Sequence, residues 1–326
     1  MSELRQDIVS GDWVVIAPAR ADRPMMLKKK APRKPAPRAT CPFENLEKSK
    51  NWPPIAAYPN REKWRLVVVP NKYPALTHHG EHIKHFRHGV YHAATGVGDC
   101  ELVITRDHTK DFSMLAPVDA REVFDAFVAR HRASAEDPCL TYVTTFLNFG
   151  ASVGGSLWHP HYQVISLPFV PPHIVHSLAG ARRYFEAHGR CARCALVKFE
   201  RKERTRVIAE NDDAIAIAPY ASKRAFEVTI LSKKHFPSFH ETPVRVVHAA
   251  ADLVRSVMGK IKKKVNDPDL NFFIHDTPLN GKRYPYHHWH IELTPNLSLL
   301  GGLEFSTGVY VNSVDPDRAA KILREK

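Results

Sequence analysis

Apolar positions along the chain follow two periods, and the order in which those periods alternate is the same in its two halves. "WRLVVVPNKYPAL" is an apolar run closed by turn residues, the pattern of a buried strand leading into a turn. "CELVITRDHTKDF" reads as a second strand, ending at His108. "PVDAREVFDAFVARHRASAE" shifts to helical spacing, with Asp119 as the expected N-cap. "LTYVTTFLNFG" and "LWHPHYQVISLP" then return to β-branched strand patterns. In the second half, "DAIAIAPYASKRAFEVTILSKKHF" gives strand, turn and a strand ending at His235. "TPVRVVHAAADLVRSVMGKIKKKV" is a long helix, and "LNFFIHD" and "YHHWHIELTP" are closing strands.

The two series share a metric. Fifty-one residues separate His108 from His159, and fifty-three separate His235 from His288. Repetition of a strand–helix–strand unit at this spacing predicts a duplicated α+β module, each copy an antiparallel sheet with packed helices. The modules are expected to span residues 1–172 and 173–326, with an exposed join near residues 170–185, after "SLPFVPPH".

At 326 residues and 44% hydrophobic content the chain can bury a large core. No apolar run approaches the ~20 residues of a membrane span, and "MSELRQDIVSGDW" lacks the apolar segment of a secretory signal. A cytoplasmic protein with no membrane partner is expected. The net charge of +13 suits a nucleic acid or a phosphate-bearing small molecule equally. Part of it is local, because Leu27–Arg38, "LKKKAPRKPAPR", alternates bases with prolines and reads as an extended loop. With no aromatic-interleaved basic face and no helix-turn-helix pattern, a nucleic-acid-binding role is the minor reading. Five cysteines, sparse and odd in number, argue against a disulfide framework.

Each half carries a His-x-His on a closing strand, and strand alternation puts His159 and His161 on one face, as it does His288 and His290. Cys191-x-x-Cys194 with His235 and His288 is a donor set suited to a closed structural zinc site, although a redox or incidental C-x-x-C fits the same spacing. The repeat predicts a counterpart at Cys41, Glu44, His108 and His159, with a carboxylate where the second cysteine would stand. Histidines committed to metal leave His161 and His290 free. A neutral imidazole is a competent nucleophile toward phosphorus. Before His161, Gly150, Gly154 and Gly155 with Ser152 and Ser156 offer backbone N–H groups and hydroxyls to phosphate oxygens, or simply a turn.

"NFGASVGGSLWHPHYQVISLP" resembles the active-site segment of the galactose-1-phosphate uridylyltransferases, a branch of the histidine-triad superfamily. "LRQDIVSGDWVVIAPARADRP", "VVVPNKYPAL", "HHWHIELTP" and "GGLEFSTGVYVNSVDP" extend the resemblance over nearly the whole chain. It implies two histidine-triad-like modules and ping-pong nucleotidyl transfer. His161 would attack the α-phosphorus of UDP-glucose, hold a uridylyl group and pass it to a hexose 1-phosphate, as in galactose metabolism. It implies that Gln163 bonds the transferred phosphoryl group, that Arg20 and Arg23 reach the diphosphate, and that Asn71 lies in the nucleoside turn. Asn148 and Ser156 match phosphate-contacting positions, and Glu304 matches a glutamate that holds hexose hydroxyls. A homodimer is implied as well, and zinc at one or two sites per chain.

Three departures bear on the metal sites and the base, with uridylyl transfer the leading reading. Glu44 replaces a cysteine, Cys191-x-x-Cys194 is absent from the best-known members, and Lys72 follows Asn71 where uridylyl enzymes often carry aspartate. An ADP-sugar or dinucleoside-polyphosphate phosphorylase using the same histidine is therefore the alternative.

Overall fold

The computed structural model describes residues 1–22, 35–78, 80 and 82–325, so Arg23 and most of the basic Leu27–Arg38 stretch lie outside the described residues. The chain opens with a hairpin of β1 (Glu3–Gln6) and β2 (Trp13–Ile16). Then come β3 (Ala56–Tyr58), β4 (Leu66–Pro70), an exposed hairpin of β5 (His85–His88) and β6 (Tyr91–Ala94), and β7 (Cys100–Thr105). Helix α1 (Pro117–Ala135), β8 (Tyr142–Phe149) and β9 (His161–Leu167) complete the first series. Two helices, α2 (Pro172–His188) and α3 (Ala192–Glu203), lead into β10 (Val207–Glu210), β11 (Ala214–Ile217) and β12 (Val228–Ser232). Helix α4 (Val244–Lys264), β13 (Leu270–His275), β14 (His290–Pro295), α5 (Gly302–Thr307), β15 (Tyr310–Asn312) and α6 (Pro316–Arg324) follow.

Ten of the strands form one antiparallel sheet in the order β10-β11-β12-β14-β13-β8-β9-β7-β4-β3. Its two five-stranded halves have matching connectivity and meet where β8 pairs with β13, Asn148 opposite Asn271. The fold is thus α+β, with the duplicated antiparallel unit that the spacing predicts. Outside the sheet, β15 runs parallel to β2, tying the chain's opening hairpin to its closing segment.

Alternation divides the sheet into a dry face and a wet one. Val143, Leu147, Tyr162, Val164, Phe272, Ile274, Ile291 and Leu293 point into a core closed by α1 and α4. Residues two apart on the same strands, among them Gln163, Phe273 and Glu292, stay partly exposed on the opposite face. Strand β4 is apolar throughout because each of its faces meets a core: Leu66 and Val68 feed the main one, while Val67 and Val69 feed a smaller one with Phe43, Leu102 and Ile104.

Four local expectations change. Helix α1 starts at Pro117 with Ala116 as N-cap, because proline's fixed φ favours the first helical position; Asp119 lies in the first turn and serves the helix dipole instead. Each His-x-His strand begins at its second histidine, His161 or His290, and the first histidine precedes the ladder. Strands β7 and β12 end three residues before His108 and His235. The expected exposed join at residues 170–185 is α2, which buries Ile174, Leu178 and Ala181. It packs so closely that a Cβ on Gly180 would lie 2.1 Å from the Val9 carbonyl oxygen. Its apolar positions are diluted by His173, His176, Arg182 and Arg183, which hid the helical period.

Under the sheet, His131 of α1 bonds Asp276 (3.0 Å) through Nδ1 and Thr145 of β8 (2.9 Å) through Nε2. The other Asp276 oxygen accepts the backbone N–H groups of Phe239 and Thr277 at 2.8 Å each. Burial alone would raise this carboxyl's pKa, but its bonds to His131 and His240 hold it well below the usual range. A group depressed in this way stabilises the fold above its unfolded pKa, and that stability is lost as pH falls through the folded value. Asp276→Ala is expected to cost about 3–5 kcal/mol, the price of breaking a buried pair. A lowered denaturant midpoint at pH 7 would register this, and the difference from the parent protein should shrink as the pH is taken well below the ordinary carboxylate range.

Candidate active site and metal centres

At the first His-x-His, a hydrogen bond fixes the tautomer of each ring. His159 Nε2–H donates to the Thr105 carbonyl (2.7 Å), which turns its Nδ1 lone pair toward Cys41 Sγ at 3.5 Å. His108 Nε2–H donates to the Ala36 carbonyl (2.9 Å), and its Nδ1 faces Glu44 Oε1 at 3.2 Å. Both atoms of that last contact are buried without a hydrogen-bond partner. Two acceptors so close, with no other donor at either atom, require a proton or a metal ion between them. The sulfur of Cys41 and the nitrogens of His108 and His159 lie within 4.8 Å of one another, a set that fits a borderline divalent cation such as zinc, and Glu44 Oε1 lies beside the two imidazoles, 3.2 and 3.9 Å from their Nδ1 atoms.

The second cluster has the same logic. The Ser232 hydroxyl donates to the Lys234 carbonyl (2.8 Å), so it can only accept from His288 Nε2–H (2.7 Å). His288 Nδ1 then points at Cys194 Sγ, 3.5 Å away, and His235 Nδ1 lies 3.3 Å from the same sulfur. A hydrogen bond between the two thiols pushes Cys191 toward the thiolate, and the same bond, with burial, raises the Cys194 thiol. The donor atoms of Cys191, Cys194, His235 and His288 all lie within 4.8 Å of one another. Thiols already sharing a proton beside two lone pairs also fit zinc.

His161 opens β9 and is 9% exposed. Its Nδ1–H donates to the His159 carbonyl at 2.9 Å, which leaves the lone pair on Nε2. Among the described residues that Nε2 makes no hydrogen bond. Burial pushes the imidazole pKa below its ordinary value, so the neutral, nucleophilic form persists. Gln163 lies two residues along on the same face, opposite Phe146, and Asn148 follows Phe146 at the same spacing on β8. Asn148 Oδ1 accepts from Asn271 Nδ2 (2.7 Å).

The glycine/serine segment is held by a residue that the pattern did not flag. Asp269 Oδ2 accepts from Ser152 N (3.0 Å) and Ser152 Oγ (2.6 Å). Gly150, at φ +104°, lets that carboxylate approach, since a Cβ would sit 1.9 Å from Asp269 Oδ1. Ser156 is exposed at the end of the segment. Asn71 closes an Asx turn, its Oδ1 accepting from Tyr73 N at 3.1 Å. Arg20 and Glu304 interact with each other electrostatically, and Glu304 also accepts from Gly301 N (2.8 Å) at the start of α5. Neither is joined to His161, Gln163 or Asn148 by a hydrogen bond or ion pair among the described residues. Arg23 lies outside those residues.

A cavity of about 600 Å³ opens on the wet face of the second half, lined by Arg193, His275, His290 and Glu292 and reaching Asn148 and Asn271. The repeat could have flagged Arg193 and Glu292, because they stand where Phe43 and Gln163 stand in the first half. Asp269, by contrast, leaves no local signal.

Comparison with known proteins places the chain in a family. The family profile described as galactose-1-phosphate uridyl transferase, N-terminal domain, matches residues 1–171, and one described only as a domain of unknown function matches residues 113–325. The ADP-glucose phosphorylase of Arabidopsis thaliana is 35% identical over 329 residues, covering 99% of this chain and 92% of its own. A crystal structure of an ADP-glucose phosphorylase from that plant with bound ADP-glucose superposes with a TM-score of 0.86 at 32% identity, over 100% of this chain and 99% of that one. The galactose-1-phosphate uridylyltransferase of Thermotoga maritima is 25% identical over 100% of this chain and 98% of its own. With two histidine-bearing half-sheets and relatives that match end to end, the chain belongs to the galactose-1-phosphate uridylyltransferase family and is an enzyme of the nucleotidyltransferase type.

Proposed function

We propose that the protein is an ADP-sugar phosphorylase, which takes the adenylyl group of a donor such as ADP-glucose onto His161 and passes it to inorganic phosphate. The carrying observation is the end-to-end similarity to the Arabidopsis ADP-glucose phosphorylase, 35% identical against 25% for the Thermotoga uridylyltransferase. Lys72 beside Asn71 and the Cys191-x-x-Cys194 pair support the same branch. Uridylyl transfer from UDP-glucose to a hexose 1-phosphate is the second reading, carried by the Thermotoga relative, and it uses the same nucleophile.

In this reaction Nε2 of His161 attacks the α-phosphorus. A P–N bond forms, and the P–O bond to the sugar phosphate breaks, its electron pair leaving with hexose 1-phosphate. The ring becomes cationic, so its Nδ1–H bond to the His159 carbonyl strengthens as charge develops; a charged hydrogen bond contributes about 1.5–3 kcal/mol. Gln163 donates its amide to the phosphoryl group in transfer, with Asn148 and Ser156 on phosphate oxygens. Arg20 and Arg23 hold the diphosphate, Asn71 the nucleoside and Glu304 the hexose hydroxyls. Inorganic phosphate then attacks the same phosphorus, ADP leaves, and His161 returns to its neutral form.

The enzyme works as a cytoplasmic homodimer in this reading. Neither Glu304 nor Arg20 bonds His161 among the described residues, and exposed Leu299, Leu303 and Phe305 flank Glu304, as suits a segment that meets a second copy. Zinc held by Cys191, Cys194, His235 and His288, and by Cys41, Glu44, His108 and His159, would clamp strand ends and take no part in bond making.

Incubation with ADP-glucose or UDP-glucose without acceptor, followed by intact-mass measurement, tests the reaction. An adenylyl adduct is expected, absent from His161→Ala and discharged by inorganic phosphate as ADP; a uridylyl adduct with ADP-glucose inert would reinstate the second reading. Metal analysis of purified protein should give two zinc ions per chain, and Cys194→Ser should lose one of them with a lower thermal midpoint. An unchanged metal content in that variant would remove Cys194 from the ligand set.

A further inference from the structure

The two halves keep the same lock on the second histidine of each pair. His161 Nδ1–H donates to the carbonyl of His159, and His290 Nδ1–H donates to the carbonyl of His288 (3.3 Å). His161 is thereby left with its lone pair on Nε2, and in His290 the Arg193 guanidinium, which can only donate, places the lone pair on Nε2 as well. What differs is what Nε2 meets. In the first half no described residue bonds it. In the second, Arg193 Nη2 donates to it at 3.0 Å, with Glu292 Oε1 3.3 Å away and the His275 ring stacked at 4.5 Å.

The repeat locates the cause. Cys41 and Glu44 correspond to Cys191 and Cys194, so Phe43 and Arg193 occupy the same place in their motifs. Phe43 presents a ring against His161, centroids 5.1 Å apart at 65°. A phenyl edge has no N–H to offer a lone pair, whereas a guanidinium has nothing else to offer. We propose that this one position decides which half can react: Phe43 leaves Nε2 of His161 open, and Arg193 ties up Nε2 of His290, making Phe43 and Arg193 the positioning residues that set which copy is catalytic. The inference rests on His161 as the nucleophile.

A second substitution points the same way. Glu292 stands in the place of Gln163, and a carboxylate repels the phosphoryl oxygens that an amide can bond. His290 is 1% exposed against 9% for His161, and it lines a cavity of about 600 Å³, so removing the Arg193 side chain opens the ring to a small reagent. Arg193 is also attracted to Asp7 and Glu292, so releasing His290 would leave a guanidinium held in place without its acceptor.

Diethyl pyrocarbonate, which acylates an imidazole nitrogen only through a free lone pair, tests this on the zinc-loaded full chain without any nucleotide. Mapped by peptide mass, acylation is expected at His161 and not at His290. Phe43→Arg should slow His161 about tenfold or more, as expected when a charged hydrogen bond must be broken first, while Phe43→Leu restores the rate. Arg193→Leu should make His290 reactive, and this arm decides alone if Phe43→Arg does not fold or loses zinc. Equal acylation of both histidines in the parent protein, an unreactive His290 in Arg193→Leu, or an unchanged His161 rate in a folded Phe43→Arg would overturn the proposal. Adduct formation from ADP-glucose and UDP-glucose in the same variants separates the two questions. A parent protein that acylates as expected but takes up no nucleotidyl group defeats the functional reading and leaves the positioning of the two imidazoles standing.

Discussion

A neutral imidazole has one N–H and one lone pair, and whatever accepts the N–H decides where the lone pair points. The site is built on that constraint. The Thr105, Ala36 and His159 carbonyls and the Ser232 hydroxyl each take one N–H. His159 and His108 are thereby turned inward toward one cluster and His288 toward the other, while His161 keeps a lone pair that no described residue bonds. Thr105 and Ser232 end strands of the central sheet and His159 stands just before β9, whereas Ala36 lies in the segment that leads to Cys41. The orientation of three of these four rings is therefore tied to the ends of the sheet's strands.

The sheet supplies that rigidity because its two faces do different work. One is sealed by α1 and α4 over aromatic and branched side chains and pinned by the buried His131–Asp276 pair. The other carries Asn148, Gln163, His275 and Glu292 at alternate positions toward the wet side. Shifting a strand by one residue would exchange these sets and expose the core, so burial of the apolar face fixes the register that aligns the polar one. Duplication extends the arrangement across ten strands. The halves then differ by single residues at equivalent places, Phe43 against Arg193 and Gln163 against Glu292, on a common backbone frame.

Much of this was legible in the chain itself. Long helices at 117–135 and 244–264, the strands between them and the repeat all follow from period and spacing, since each buries one regular face. The two donor clusters were legible too, because the repeat supplied the partners that a bare C-x-x-C lacks. Elements whose apolar face is broken were not: histidines and arginines interrupt the period of α2, so its stretch reads as a join in sequence. The capping of α1 went to Ala116 and Pro117 because proline geometry outweighed a carboxylate two residues later. Asp269, which holds the loop before His161, lies more than a hundred residues from Ser152 and has no motif around it.

What the sequence determined by itself was the repertoire: two copies of one module, two His-x-His pairs on the same alternating pattern, and donor sets of metal-binding type. Those are properties of order and period, which a linear chain states directly. Only the tertiary structure decided the direction of each lone pair, the joining of the halves through β8 and β13, and the contact of Arg193 with His290. These depend on distances between residues far apart in the chain. A hydrogen bond of about 3 Å has no counterpart in sequence spacing until the sheet brings its two ends together.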